Sequence, residues 1–136
     1  MENLRTNPNC EPLQENQPDY FYGSQAELFT FYRIPKALFQ EERFQSLSAE
    51  AKILYGILLD RMSLSLRNGW LDDQGRGYII FTISEVMAHM GCANKKAIAL
   101  LVELEMKAGL IVRKRQGLGR PNLIYVKRFV PETDTS

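Results

Sequence analysis

The residues of this chain best suited to chemistry are cations and amides rather than nucleophiles. Asn94, Lys95 and Lys96 stand together, Arg113, Lys114 and Arg115 follow, and Arg120 and Asn122 close the set. Between Asn94 and Arg128 lie nine basic residues and two acidic ones (Glu103 and Glu105), a local balance of +7 in a chain whose net charge is only +1. The rest of the chain is therefore acidic. A near-neutral total hides one basic surface, and such a surface attracts polyanions because the field depends on where charges sit. Lys and Arg at a helix start contact phosphate or the edge of guanine, whereas Asn contacts adenine or caps the helix. Asn94 suits both uses, and the cap is the simpler one.

Catalysis has no comparable set. The chain holds one histidine (His89), two cysteines far apart (Cys10 and Cys92), and two adjacent carboxylate pairs, Glu41 with Glu42 and Asp72 with Asp73. No nucleophile with a matching base, no metal-ligand spacing and no redox or zinc pattern emerges, so neither enzyme nor cofactor nor metal is expected. The acidic turn at Asp72 lacks the alternation and closing glutamate of a calcium loop. Two glycines, Gly117 and Gly119, fall short of a dinucleotide fingerprint. His89 has no obvious partner and reads as a surface or capping residue. Cys92 reads as a small buried apolar residue. No apolar run is long enough to span a bilayer, and no signal stretch opens the chain, which places the expected location in the cytoplasm.

The elements that must position the cations follow from periodicity. Residues 1–27 are rich in Asn, Gln, Glu and Pro, and are expected to form a mobile arm whose aromatic end, Tyr20 to Tyr22, is suited to packing on the domain or on a second subunit. Phe31, Tyr32 and Ile34 before Pro35 imply a short extended segment. Ser48 caps a helix of about Ala49–Leu66 with Ala51, Leu54, Tyr55, Leu58 and Met62 on its buried face. Lys52, Asp60 and Arg61 suit ordinary surface pairing on or beside this helix. Asn68 and Gly69 end it, and the turn at 72–75 separates Trp70 from an apolar strand, Tyr78–Phe81.

Thr82 with Glu85 makes a capping box for a short helix whose stripe is Ile83, Val86, Met87 and Met90, and Gly91 stops it. A second helix from Asn94 to about Ala108 turns Ala97, Leu101, Leu104 and Ala108 to one side, leaving Asn94, Lys95, Lys96 and Ala99 outside with Glu103 one turn further on. Two strands, Leu110–Arg115 and Leu123–Arg128, flank a loop carrying Arg120 and Pro121. Helix, strand, helix, helix, strand, loop, strand is the order of an α+β winged helix-turn-helix domain with a small β-hairpin wing. Tyr55, Trp70 and Tyr125 are large enough to dominate its core. A helix of this kind enters the major groove, and a wing arginine enters a narrow minor groove. The competing reading is a winged helix that binds protein or serves as a transcriptional regulator, with Leu100, Met106 and Leu118 as its apolar contacts.

Five segments carry a family resemblance: Arg33-Ile-Pro-Lys-Ala-Leu-Phe39, Leu47-Ser-Ala-Glu-Ala-Lys-Ile-Leu-Tyr55, Leu58-Leu-Asp-Arg-Met-Ser63, Asn68-Gly-Trp-Leu-Asp72 and Arg115-Gln-Gly-Leu-Gly-Arg-Pro-Asn-Leu-Ile-Tyr-Val126. In this order, over about residues 29–128, they resemble the N-terminal domain of the RepA_N family of plasmid replication initiators. The resemblance implies a domain, here residues 28–130, that binds double-stranded DNA repeats (iterons) at a plasmid origin, commonly as a homodimer. It also implies that host replication factors are reached only through a C-terminal domain absent from this sequence. Residues 131–136 are then expected to be the linker toward it.

Overall fold

The computed structural model describes residues 17–23 and 29–132. Two compact units are distinguished, residues 1–31 and 32–136. In the first, Phe29 meets Phe21 and Phe31 edge-on, with ring centroids 6.5 and 6.2 Å apart. The arm expected over residues 1–27 falls largely outside the described residues, as do residues 133–136.

The second unit opens with a segment that forms neither helix nor strand before Pro35. Its close approach to the next long helix explains a mid-helix glycine: a Cβ on Gly56 would lie 2.8 Å from Ile34 Cγ1 and 3.0 Å from the Arg33 carbonyl oxygen. A short helix α1 (Ala37–Gln40) and a 3-10 turn (Glu42–Phe44), neither foreseen from periodicity, lead into α2 (Ala49–Arg67). Elements this short carry too few repeats to show a period. The Ser48 hydroxyl accepts from the Ala51 amide at 3.1 Å, and α2 runs one residue past its expected end.

Helix α2 forms the centre of the core. Leu54, Tyr55 and Leu58 are buried on it, and around them lie Ile79, Val86, Leu101, Leu104, Ile111 and Ile124 from five other segments. The Tyr55 hydroxyl donates to the Lys127 carbonyl at 2.6 Å, and burial pushes its pKa up to about 12.

After α2 come β1 (Ile79–Ile80), α3 (Ile83–Met90), α4 (Asn94–Val102) with a π-helical turn at Glu103–Lys107, β2 (Ile111–Lys114) and β3 (Leu123–Val126). The strands form one antiparallel sheet in the order β1-β3-β2, with Arg113 opposite Ile124 and Ile124 opposite Ile79. Three helices on one side of a small sheet, ending in a hairpin, make the α+β winged helix expected from the order of elements. Two aromatic assignments change. Trp70 remains 45 % exposed, stacked on Tyr78 at 6.1 Å, and Tyr125 lies on the sheet's outer face against Tyr78; only Tyr55 belongs to the core. A strand alternates its faces, and Tyr125 is adjacent to the inward Ile124.

The C-terminal end of the described chain is clasped to the domain. Arg43 donates to the Glu41 carboxylate (2.6 Å) and to the Val130 carbonyl (2.6 Å), and the Glu132 amide donates to the other Glu41 oxygen at 2.7 Å. The carboxylate pair Glu41 and Glu42 is therefore divided, one member being engaged in this clasp.

Candidate nucleic-acid interface

The helix pair is built as its sequence requires. Thr82 Oγ1 accepts from the Glu85 amide (3.1 Å) while Glu85 Oε1 accepts from the Thr82 amide (2.9 Å), so the start of α3 is satisfied on both sides. Gly91 adopts φ 64°, ψ 40°, the left-handed geometry that ends α3 and redirects the chain into α4. His89 Nδ1 lies 3.0 Å from the Glu85 carbonyl on the exposed side of α3, in keeping with a surface role. Cys92 is half-buried and packs against the core.

The cap of α4 differs from expectation. Ala93, with extended φ −85° and ψ 174°, is the N-cap and Asn94 is the first helical residue; no side chain caps the helix. The reason is local: the Ala93 carbonyl already accepts from the Ala97 amide at 3.0 Å, placing Asn94 one position inside. Its exposed amide is thereby released from capping.

The inner side of α4 carries Ala97, Leu100, Leu101 and, in the π turn, Leu104. Leu100 is thus a core residue and not an exposed apolar contact, whereas Met106 and Leu118 are exposed. Asn94, Lys95, Lys96, Ile98, Ala99 and Val102 face outward. Lys96 pairs with Glu50 of α2 at 3.4 Å, an exposed contact that holds it weakly, and Lys95 has no ion pair among the described residues. Glu103 is absent from this face. Its two oxygens accept from the Ser48 amide (2.8 Å) and hydroxyl (3.0 Å), because the wider turn after Val102 rotates it toward the start of α2.

Glu105, the other acid of the basic segment, is also drawn inward. It accepts from Arg113 Nε at 2.8 Å and from the Arg113 amide at 3.3 Å, both side chains being about three-quarters buried. Arg113 therefore braces β2 against the π turn, its charge matched by Glu105. Lys114, Arg115 and Arg120 are exposed and have no ion pair among the described residues. Asn122 is exposed beside Pro121 and Arg113, where the wing base and the start of α3 enclose a cavity of about 220 Å³.

The outer face of the hairpin gathers cations of the basic segment and adds Arg76 from outside it. Arg76, Lys114, Lys127 and Arg128 line a groove of about 710 Å³ floored by Val112 and Tyr125. Arg76 reaches it from the turn before β1, donating to Asp72 Oδ2 at 2.9 Å with its guanidinium over the Tyr125 ring at 5.1 Å. The Arg76 amide, foremost among several donors to Asp72, holds that carboxyl well below the usual range. Two further pairings differ from the surface contacts expected on α2. Lys52, 8 % exposed, lies over the Phe39 ring at 4.6 Å, and Arg61 lies over Phe81 at 4.8 Å with Glu85 at 3.6 Å.

Among the described residues no three His, Cys, Asp or Glu side chains are grouped to hold a metal ion, and no helix is long and apolar enough to cross a membrane. What the surface does offer is a helix start and a hairpin loop, both cationic, with every acid of the segment turned inward.

Comparison with known proteins agrees with that description. Residues 30–136 match the family model of the replication initiator protein A (RepA) N-terminus, RepA_N. A 41 kDa protein of Lactobacillus helveticus is 25 % identical over 104 residues, which make up 75 % of this chain and 29 % of that relative; this chain thus spans less than a third of its length. Among solved structures, one described as a Rep-DNA complex is 36 % identical with a TM-score of 0.66, covering 74 % of this chain and 77 % of its own. The N-terminal domain of a DNA-binding protein is 35 % identical with a TM-score of 0.66, over 79 % and 88 %. An MDR initiator is 37 % identical with a TM-score of 0.62, over 73 % and 77 %.

Proposed function

Because the chain belongs to the RepA_N family of plasmid replication initiators, of which it carries the N-terminal domain, we propose that it binds double-stranded DNA repeats (iterons) at a plasmid origin through α4 and the wing. Residues 28–130 are the binding domain in this reading. The protein works in the cytoplasm, as a homodimer on repeated sites, and its role is binding and not catalysis.

One observation carries this reading. Lys95, Lys114, Arg115 and Arg120 remain exposed and unpaired among the described residues, while Glu103 and Glu105 are consumed by Ser48 and Arg113. The fold has removed the negative charge from the basic segment's surface. On a duplex, α4 enters the major groove with Asn94 and Lys95 nearest the base edges, Lys96 exchanging Glu50 for phosphate. Arg115 and Arg120 follow the backbone into the adjacent minor groove, with Lys114 and Asn122 at the wing base.

Equilibrium binding to the origin repeat and to a scrambled duplex, each over a range of salt, tests the proposal. A preference of at least ~1000-fold for the repeat, with log affinity falling by about 0.9 per phosphate neutralised, is expected. Equal, weak binding to both duplexes would overturn it.

A further inference from the structure

From Ala97 to Val102 the sequence of α4 is Ala-Ile-Ala-Leu-Leu-Val, six residues without one polar side chain. Half of them have a structural explanation, since Ala97, Leu100 and Leu101 are buried. The other half do not. Ile98 is 41 % exposed, Val102 is 40 % exposed, and Ala99 is exposed between them. Two β-branched aliphatic side chains at i and i+4 form a continuous strip on the outward face, one turn beyond the cations.

The next polar residue, Glu103, is turned away to Ser48. Beyond Lys96 the outward face of α4 therefore has no hydrogen-bond donor or acceptor on a side chain. If this helix lies in the major groove, its middle cannot read bases by hydrogen bonds. The base edges of that groove present one apolar group, the C5 methyl of thymine. Burying an isoleucine edge against a donor or acceptor of another base would desolvate a polar group with nothing in return.

We infer that Ile98, Ala99 and Val102 form a thymine-methyl reader, so that the bound site carries A·T pairs under the middle of α4. This rests on the proposed binding of duplex DNA through α4 and adds which base the helix centre selects. The cations at Lys95 and along the wing make duplex DNA the partner that fits a strip so placed. Four residues of helix advance about 6 Å and one base-pair step about 3.4 Å, so Ile98 and Val102 together cover about two steps. Two thymines at adjacent or next-adjacent positions, on either strand, are the expected signature.

The test removes the methyl and nothing else. A preferred duplex is first recovered from random sequences by selection with this chain, and each thymine is then replaced by deoxyuridine, which keeps every hydrogen-bonding group. Loss of about fourfold in affinity is expected at each of the two positions, from the burial of one methyl. Ile98→Ala should weaken binding to the thymine duplex and erase the thymine/uracil difference at one of them, whereas Lys95→Ala should weaken both duplexes and leave their ratio intact. A consensus without thymine under α4, or equal affinity for the thymine and uracil duplexes, overturns the inference and leaves DNA binding standing. Equal loss on both duplexes for Ile98→Ala, in a variant whose melting is unchanged, also overturns it, since the strip then contributes without reading the methyl. Selection that enriches no sequence at all would instead remove the binding proposal itself.

Discussion

The turn from Leu71 to Gly77 and the wing loop from Arg115 to Asn122 are similar in kind and opposite in construction. Both are short, charged and glycine-bearing, but they connect to opposite ends of the three-stranded sheet, the turn leading into β1 at Ile79 and the wing joining Lys114 to Leu123, which pairs with Ile80 at the far end of β1. The first is closed on itself. Asp72 Oδ1 accepts from the amides of Gln74 (2.9 Å) and Arg76 (2.8 Å), and Oδ2 accepts from Arg76 Nε (2.9 Å) and the Tyr125 hydroxyl (3.0 Å). The turn is also tied to α2, where the Ser65 hydroxyl donates to the Tyr78 carbonyl. The wing loop has two internal bonds only, from the Arg120 amide to the Gly117 carbonyl (3.3 Å) and from Gln116 Nε2 to the Pro121 carbonyl (2.8 Å). Neither involves a charged group. A charge whose partner is supplied by the fold holds the fold, and a charge left without one is available to another molecule.

The largest effect is expected where the closed turn is opened. Asp72→Asn removes the charge that gathers four donors, and thermal unfolding should show a clearly lower Tm, while affinity for the origin repeat, measured where both proteins are folded, stays unchanged. A variant that loses affinity and keeps its Tm would break the contrast and put the turn in the interface. Arg120→Ala should do the reverse. Its stability is expected to stay within about 0.5 kcal/mol of the parent, as for a surface change without a partner. Its affinity should fall on all sequences alike, with the salt slope reduced by about 1. Loss of discrimination at a single base pair would show that Arg120 reads a base.

Acid and alkali separate the regions next. The Asp72 carboxyl is held below its ordinary pKa, so its contribution to stability is complete above about pH 4 and is lost only as pH falls toward the lowered value. Fluorescence of Trp70, stacked on Tyr78 beside the turn, should therefore stay native through mild acid. Tyr55 shifts the other way: its pKa is pushed up to about 12, so the folded state keeps its proton while the unfolded chain releases it from about pH 10 upward. Stability should be steady up to that pH and decline above it, and Tyr55→Phe, measured by denaturant unfolding, should flatten the decline. The smallest effect belongs to Gln116→Ala, whose one exposed bond predicts a change below about 0.5 kcal/mol in unfolding.

The sequence was legible where a local signal decides the structure. The Thr82 and Glu85 capping box, Gly91 and the stripe of α2 need only neighbours in the chain, and each stands where its pattern puts it. It was less legible where distant segments compete for one side chain. Glu103 and Arg113 lie on a cationic stretch in sequence, yet Ser48, 55 positions away, and Glu105, within the π turn, claim them. Size alone does not place Trp70, since an aromatic ring satisfied by Tyr78 need not enter the core. Arg76 is masked in composition by the acidic turn that holds it, and its four-residue spacing from Asp72 is the one local clue. Ile98 is legible only against the inward stripe of Ala97, Leu101 and Leu104, for a run of apolar residues does not by itself say which of them face out.

The grip of Glu103 on Ser48 has a consequence for how such domains diversify. It joins the far end of α4 to the first turn of α2 by two hydrogen bonds that involve none of the outward residues. Mutation can then rewrite Asn94, Lys95, Ile98, Ala99 and Val102 in many combinations without tilting the helix that bears them. Neutral drift on that face changes the preferred target and leaves the scaffold intact, so a lineage can acquire a new address one substitution at a time, each intermediate remaining folded.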